Sequence, residues 1–276
     1  MLPSFLLALR EGLEAALVIG IALGVLAKTH RSDLKSAVWR GAFAAVLVSL
    51  LAAMLLNLLG AQFEGRTEEI FEGFAMLAAA LLLTWMIFWM QRQGASMQRQ
   101  LELDVTTAAQ RRGARGLFAL AFLAVAREGL ELAIFLTASV LATDALPTLL
   151  GALLGLAGAA FLGYLLFATT RRLSLKQFFR ITNVLLILFA AGLVAHAVHE
   201  FNEAALIAPV IEQVWDVNPV LDENSQAGQV LKALFGYNGN PSLSEVLAYS
   251  GYLIFLWLLF NKDRVARRWL ITRAAP

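Results

Sequence analysis

Arg10-Glu11-Gly12-Leu13-Glu14 and Arg127-Glu128-Gly129-Leu130-Glu131 are the same five residues, set twice into apolar stretches long enough to cross a lipid bilayer. A charge at the centre of such a helix costs about 2.5 to 3.5 kcal/mol on insertion scales, so six cost on the order of 15 to 20 kcal/mol. A domain is usually stable by only about 5 to 15 kcal/mol, so these groups must be paired, hydrated or both. On a helix Glu11 and Glu14 share a face, as do Glu128 and Glu131, and each arginine stands four residues before the second glutamate. Arg10 can therefore pair with Glu14 and Arg127 with Glu131, which leaves Glu11 and Glu128 available. Gly12 and Gly129 leave the backbone uncovered between the acids, open to close approach by another helix or an ion. Four carboxylates brought together form an oxygen site of the kind hard cations take. Two arginines against four glutamates leave a net charge of −2 when all are ionised, and a cation relieves it, with release of protons on binding. A self-neutralising lock between two helices would also bury such clusters. A lock, however, needs neither repetition nor spare negative charge.

Three further groups could serve that chemistry. Glu69 and Glu72 repeat the three-residue spacing near Glu64 and Glu68, as acids favoured by a helix N-terminus do or as a relay leading cations inward would. His196, His199, Glu200 and Glu203 follow i, i+3, i+4, i+7 spacing and share a helix face, as a metal or proton relay would, or as interfacial histidines held by hydrogen bonds. Their order is neither the His-Glu-x-x-His of zinc peptidases nor the Glu-x-x-His of di-iron bundles. Trp85 and Trp89, with Met86 and Met90, read as an aromatic belt at the membrane surface.

The elements that must position these residues are membrane helices. Of 276 residues 59% are hydrophobic and the mean hydropathy is +0.71, which indicates an all-α integral membrane protein. The absence of cysteine excludes disulfides, thiolate metal sites and thiol catalysis. The apolar amino terminus lacks a basic leader and carries Glu11 and Glu14 in its apolar core, so it reads as a retained helix rather than a signal peptide. Seven transmembrane helices are expected at about 2–27, 36–60, 70–91, 116–141, 146–169, 181–200 and 245–261. Eighteen of the 22 basic residues fall in 28–40, 91–117, 169–180 and the tail, which places those segments inside and the amino terminus outside. This charge flanks the spans and gives no nucleic-acid patch; the partner it implies is the membrane lipid.

The two motifs are offset by 117 residues, an offset that also pairs Phe5-Leu6 with Phe122-Leu123, and small-residue-rich second helices begin near Gly41 and Gly151. Three spans between the copies make the helices that carry them run in opposite directions. The expectation is a single domain over 1–276: a 3+3 inverted repeat (repeat one about 2–91, repeat two about 116–200), an outer loop of about 201–244 and a seventh helix, with the carboxyl terminus inside. In such architectures the substrate site lies near the midplane at the repeat interface. The outer loop is acidic, with Glu203, Glu212, Asp216, Asp222 and Glu223 against Lys232. It is expected to hold one short surface helix, and it is either merely solvated or a vestibule that concentrates cations.

The two Arg-Glu-Gly-Leu-Glu motifs, Glu69-Ile70-Phe71-Glu72-Gly73, Thr84-Trp85-Met86, Phe88-Trp89-Met90 and Ala190-Ala191-Gly192-Leu193 resemble the oxidase-dependent iron permeases, most closely their bacterial branch. The resemblance runs over nearly the whole chain. It implies iron import across the bacterial inner membrane, with Glu11, Glu14, Glu128 and Glu131 binding iron in passage as substrate and no prosthetic group. It also implies a separate periplasmic iron-binding protein and a separate peroxidase or oxidase. Carboxylates alone do not choose between hard cations. A proton-coupled transporter of another divalent ion such as Mn²⁺, or a membrane metal-dependent enzyme or redox subunit, therefore stands beside iron import, and Fe²⁺ and Fe³⁺ both remain open.

Overall fold

The structure, a computed structural model, describes residues 1–60, 62–93, 97–142, 145–168, 175–223 and 225–273. Among them the regular backbone is helical throughout. In order the helices are α1 (Leu2–Lys28), α2 (Lys35–Gly60) after a 3-10 turn at Ser32–Leu34, α3 (Arg66–Gln93), α4 (Met97–Arg111), α5 (Gly113–Ala142), α6 (Ala145–Ala168), α7 (Leu175–Glu203), α8 (Gln226–Phe235) and α9 (Leu243–Arg273).

Among the described residues, five helical stretches are long and apolar enough to cross a membrane: Ser32–Leu59, Arg66–Trp89, Ala145–Leu165, Ile181–Glu203 and Leu243–Asn261. The chain is thus a multi-pass membrane protein. α1 and α5 have 27 and 30 residues, about 40 and 45 Å at 1.5 Å per residue. They differ from the five in carrying an Arg-Glu-Glu triplet within the apolar body. Pro3 sits in the first turn of α1, where its missing N–H leaves no gap in the hydrogen-bond ladder, and Lys28 in the last turn complements the helix dipole.

The most extensive packing joins α2 to α5 and α1 to α6, then α3 to α7, with α1 against α5 and α7 against α9. Small residues set the close approaches. A Cβ on Gly12 would lie 2.7 Å from the Cβ of Ala159 on α6, and one on Gly129 would lie 2.7 Å from the Cβ of Ser49 on α2. Gly41 of α2 meets the Phe118 carbonyl and Ala121 of α5, and Gly151 of α6 meets the Met1 carbonyl and Ser4 at the start of α1. In all four places glycine lets helices touch backbone to backbone or nearly so, the contact that substitutes for a hydrophobic drive inside lipid.

One apolar core gathers Leu7, Met76, Leu83, Phe135, Leu186 and Leu193 from α1, α3, α5 and α7. A second lies at the other end of α1, where Leu26, Val38 and Leu117 enclose Val105 and Ala109 of α4. The basic segment 91–117 is therefore more than a connection: its middle is an amphipathic helix whose apolar side closes this core. Large apolar side chains stay exposed along α2, α6 and α9, as lipid-facing surfaces require.

The segment after α7 contains one short helix, α8. Ser225 caps its N-terminus, the hydroxyl accepting from Gly228 N at 3.0 Å, and Gly236 ends it with φ +66°, the left-handed conformation common just past a helix end. Of the basic stretch 169–180, Arg171 and Arg172 lie outside the described residues.

Candidate metal centre

At 100° per residue, the bisector of Glu128 and Glu131 points roughly 130° away from Gly129, and the same holds for Glu11, Glu14 and Gly12. The glycines are seated against α6 and α2, so the acids of α1 and α5 turn away from those helices. One ligand oxygen from each of Glu11, Glu128 and Glu131 lies within 4.8 Å of the other two. All three residues are buried, as is Glu14.

Each arginine contacts the second carboxylate of its own motif. Arg10 Nε is 3.3 Å from Glu14 Oε1, with Nη1 3.9 Å from Glu11 Oε1. Arg127 Nε donates to Glu131 Oε1 at 2.9 Å. Glu14 thus belongs to the ion pair with Arg10 and stands outside the three converging oxygens, whereas Glu131 belongs to both groups. Both oxygens of Glu11 and Oε2 of Glu131 are buried without a hydrogen-bond donor among the described residues. A buried acceptor left without a partner costs about 1 to 3 kcal/mol, and more when charged. Three carboxylates facing one another add mutual repulsion. A cation set among them would answer both terms, and carboxylate oxygens suit a hard or borderline divalent ion.

The other candidates divide differently from their spacing. Glu69 and Glu72 of α3 lie near enough to Glu200 and Glu203 of α7 to interact electrostatically, which makes one acidic group from two helices. His199 joins that end of α7 to α9. Its Nδ1 bonds Glu245 Oε1 at 3.1 Å and its Nε2 lies 3.3 Å from Glu203 Oε1. Glu245 also accepts from the amide of Asn238 at 2.8 Å and forms a capping box with Ser242 at the start of α9, Ser242 N donating to Glu245 Oε1 at 3.2 Å and Glu245 N donating to Ser242 Oγ at 3.3 Å. His196 stands apart from these contacts, its Nδ1 3.1 Å from the Gly192 carbonyl.

Trp89, read from the sequence as part of an aromatic belt, has a partner that the sequence did not signal. The guanidinium carbon of Arg127 lies 4.2 Å from the centroid of its ring, a cation–π contact. The contact joins α3 to α5, so no spacing within either helix signals it. Trp85, by contrast, is exposed on α3.

Membrane-length helices around a buried acidic centre define a multi-pass membrane protein of the transporter kind. The chain belongs to the iron permease FTR1 family, whose profile matches residues 1–265. It is 39% identical over 256 residues to the ferrous iron permease EfeU of Escherichia coli O6:H1, covering 92% of this chain and 93% of that one. The ferrous iron permease EfeU of Yersinia pestis is 36% identical over 262 residues, covering 94% and 93%. No solved structure matches. Members of this family are permeases, and the chain is a transporter rather than an enzyme.

Proposed function

We propose that this chain imports iron across the bacterial inner membrane through a centre built by both motifs, with Glu11, Glu128 and Glu131 as direct ligands. The observation that carries the reading is the convergence of those three carboxylates within 4.8 Å, in a chain of the iron permease family. Glu14 shares charge with Arg10 and completes the set of four, while Arg10 and Arg127 limit the trapped negative charge so that the ion can leave.

The reading takes α1 and α5 as spans beside the five apolar ones, seven in all, with the amino terminus outside and α4 on the cytoplasmic side. Paired contacts support an inverted repeat. The motif offset of 117 carries Phe118 and Ala121 onto Met1 and Ser4, and an offset of 110 carries Gly41 onto Gly151 and Ser49 onto Ala159. The contact of Gly41 with Phe118 and Ala121 then has its counterpart in that of Gly151 with Met1 and Ser4, and the contact of Gly129 with Ser49 in that of Gly12 with Ala159. The exchange of α1 onto α6 and α5 onto α2 follows the same symmetry.

Iron would approach past Glu69, Glu72 and Glu200, with His199 held in structural contacts beside them. The relatives are ferrous iron permeases by name, and Fe²⁺ is the cargo favoured here. It matches the net −2 of two arginines and four glutamates. A periplasmic iron-binding protein and a peroxidase or oxidase would be separate chains. Iron flux into proteoliposomes, with ascorbate or ferricyanide outside and Mn²⁺ as competitor, tests the reading. Saturable Fe²⁺ uptake that Glu128→Gln abolishes supports it; unaltered uptake by that variant removes the assigned centre.

A further inference from the structure

The two motif arginines, equivalent in sequence, are held in different ways. The Arg10 side chain is 0% exposed, close to both carboxylates of its motif. The Arg127 side chain is 35% exposed. It is bonded to Glu131 at 2.9 Å, and its guanidinium lies on the face of Trp89.

This difference matters because a long, rotamer-rich arginine side chain has much conformational entropy to lose when fixed. A partly exposed guanidinium beside several carboxylates has more than one place to go. Glu128 is the next residue in the chain and belongs to the group of converging oxygens. A guanidinium that swung onto Glu128 would put a positive charge where the cargo ion must sit. The indole face is the strongest cation–π surface among the side chains, and the contact gains strength when desolvated. It comes from α3, outside both motif helices, and so can fix Arg127 independently of the carboxylates.

We propose that Trp89 is a positioning residue of the iron centre, its ring holding the Arg127 guanidinium on Glu131 and thereby keeping Glu128 open to the incoming ion. This inference rests on the centre proposed above. It separates Trp89 from an aromatic-belt role, in which the indole would anchor α3 in the headgroups without regard to Arg127.

The test measures Fe²⁺ uptake by full-length protein in proteoliposomes under anaerobic conditions, at matched reconstitution, for W89L, W89F, R127Q and the double variant W89L/R127Q. W89L is expected to raise KM by roughly 3- to 30-fold, the range of a cation–π contact, with the maximal rate within about twofold of the parent. W89F, which keeps an aromatic face, is expected to recover most of the loss. Once Arg127 is gone the tryptophan has nothing to hold, so W89L/R127Q should match R127Q. Should W89L fail to reconstitute, W89M takes its place. An unchanged KM in W89L, a W89F no better than W89L, or a double variant in which the two effects simply add would each overturn the proposal. E128Q is run in parallel: if it transports normally, the centre itself is wrong, whereas loss in E128Q with a normal W89L removes only the role of Trp89.

Discussion

Glu11 and Glu128 stand 117 residues apart in the chain, yet a carboxylate oxygen of each lies within 4.8 Å of the other at the contact of α1 and α5. Neither oxygen of Glu11 has a hydrogen-bond donor among the described residues. Glu11→Gln and Glu128→Gln keep the shape and remove one ligand charge each. Uptake of radiolabelled iron should fall at least about 100-fold in either variant, because loss of one charged ligand from a site of three removes several kcal/mol of cation binding. Membrane insertion and detergent-extracted yield should stay near the parent's.

The same crowding would make the proposed centre a source of repulsion that a bound ion relieves. A ligand bound only by the folded state stabilises it by about 2.7 kcal/mol at a hundred times its Kd. Fe²⁺ added anaerobically should therefore raise the melting temperature of the purified protein by several degrees. In Glu11→Gln the metal-free protein should melt higher than the metal-free parent, and the metal-dependent rise should disappear.

Gly12 offers a test of the helix packing that does not touch the acids. Its absent side chain makes room for Ala159. Gly12→Ala would force two methyl groups to 2.7 Å, an overpacking that costs about 1 to 3 kcal/mol. Gly12→Ala should lower the melting temperature and iron uptake together, and Gly12→Ala with Ala159→Gly should restore both.

The absence of native cysteine allows the orientation to be read directly. Single cysteines at Gln62 and Ala208 should react with a membrane-impermeant maleimide added to intact cells. Cysteines at Ser32 and Gln110 should react only after permeabilisation. Labelling of all four positions from outside, or the reverse order, would contradict the seven-span arrangement.

Glu245 gathers His199, Asn238 and Ser242 at the start of α9. Glu245→Ala removes a capping box and the tie to α7 at one stroke, with an expected loss of about 1 to 2 kcal/mol. Faster proteolysis within 204–242 in the variant, with the Fe²⁺ KM unchanged, is the expected outcome.

The motif helices were legible because burying Arg and Glu in an apolar stretch is so costly that only a paired or ligand-bound site explains it. The contacts of Gly41 and Gly151 rest on the same small-residue pattern that the sequence displays. α4 was not legible: its apolar face is only Leu101, Val105, Ala108 and Ala109, set among enough charge to read as a basic loop. The relation of Trp89 to Arg127 could not be read either, since it depends on how α3 lies against α5 rather than on any local period. Spacing also grouped His196 with His199, whereas the bonds of the two rings lead to different places, one to its own helix and one to α9.

α1 leaves the ribosome well before α6, the helix it packs against most extensively, which begins only at Ala145. At about 5 to 20 residues per second, the chain between them takes on the order of 6 to 25 s to make. Through that interval Gly12 has no methyl group to seat against, and Glu11 lacks the Glu128 carboxylate that comes to lie within 4.8 Å of it. The first half of the molecule therefore waits for the second, and the waiting falls on a helix that carries three charges in its apolar body. An insertion pathway that shelters α1, or leaves it in water until α5 and α6 arrive, follows from the way the two halves clasp each other.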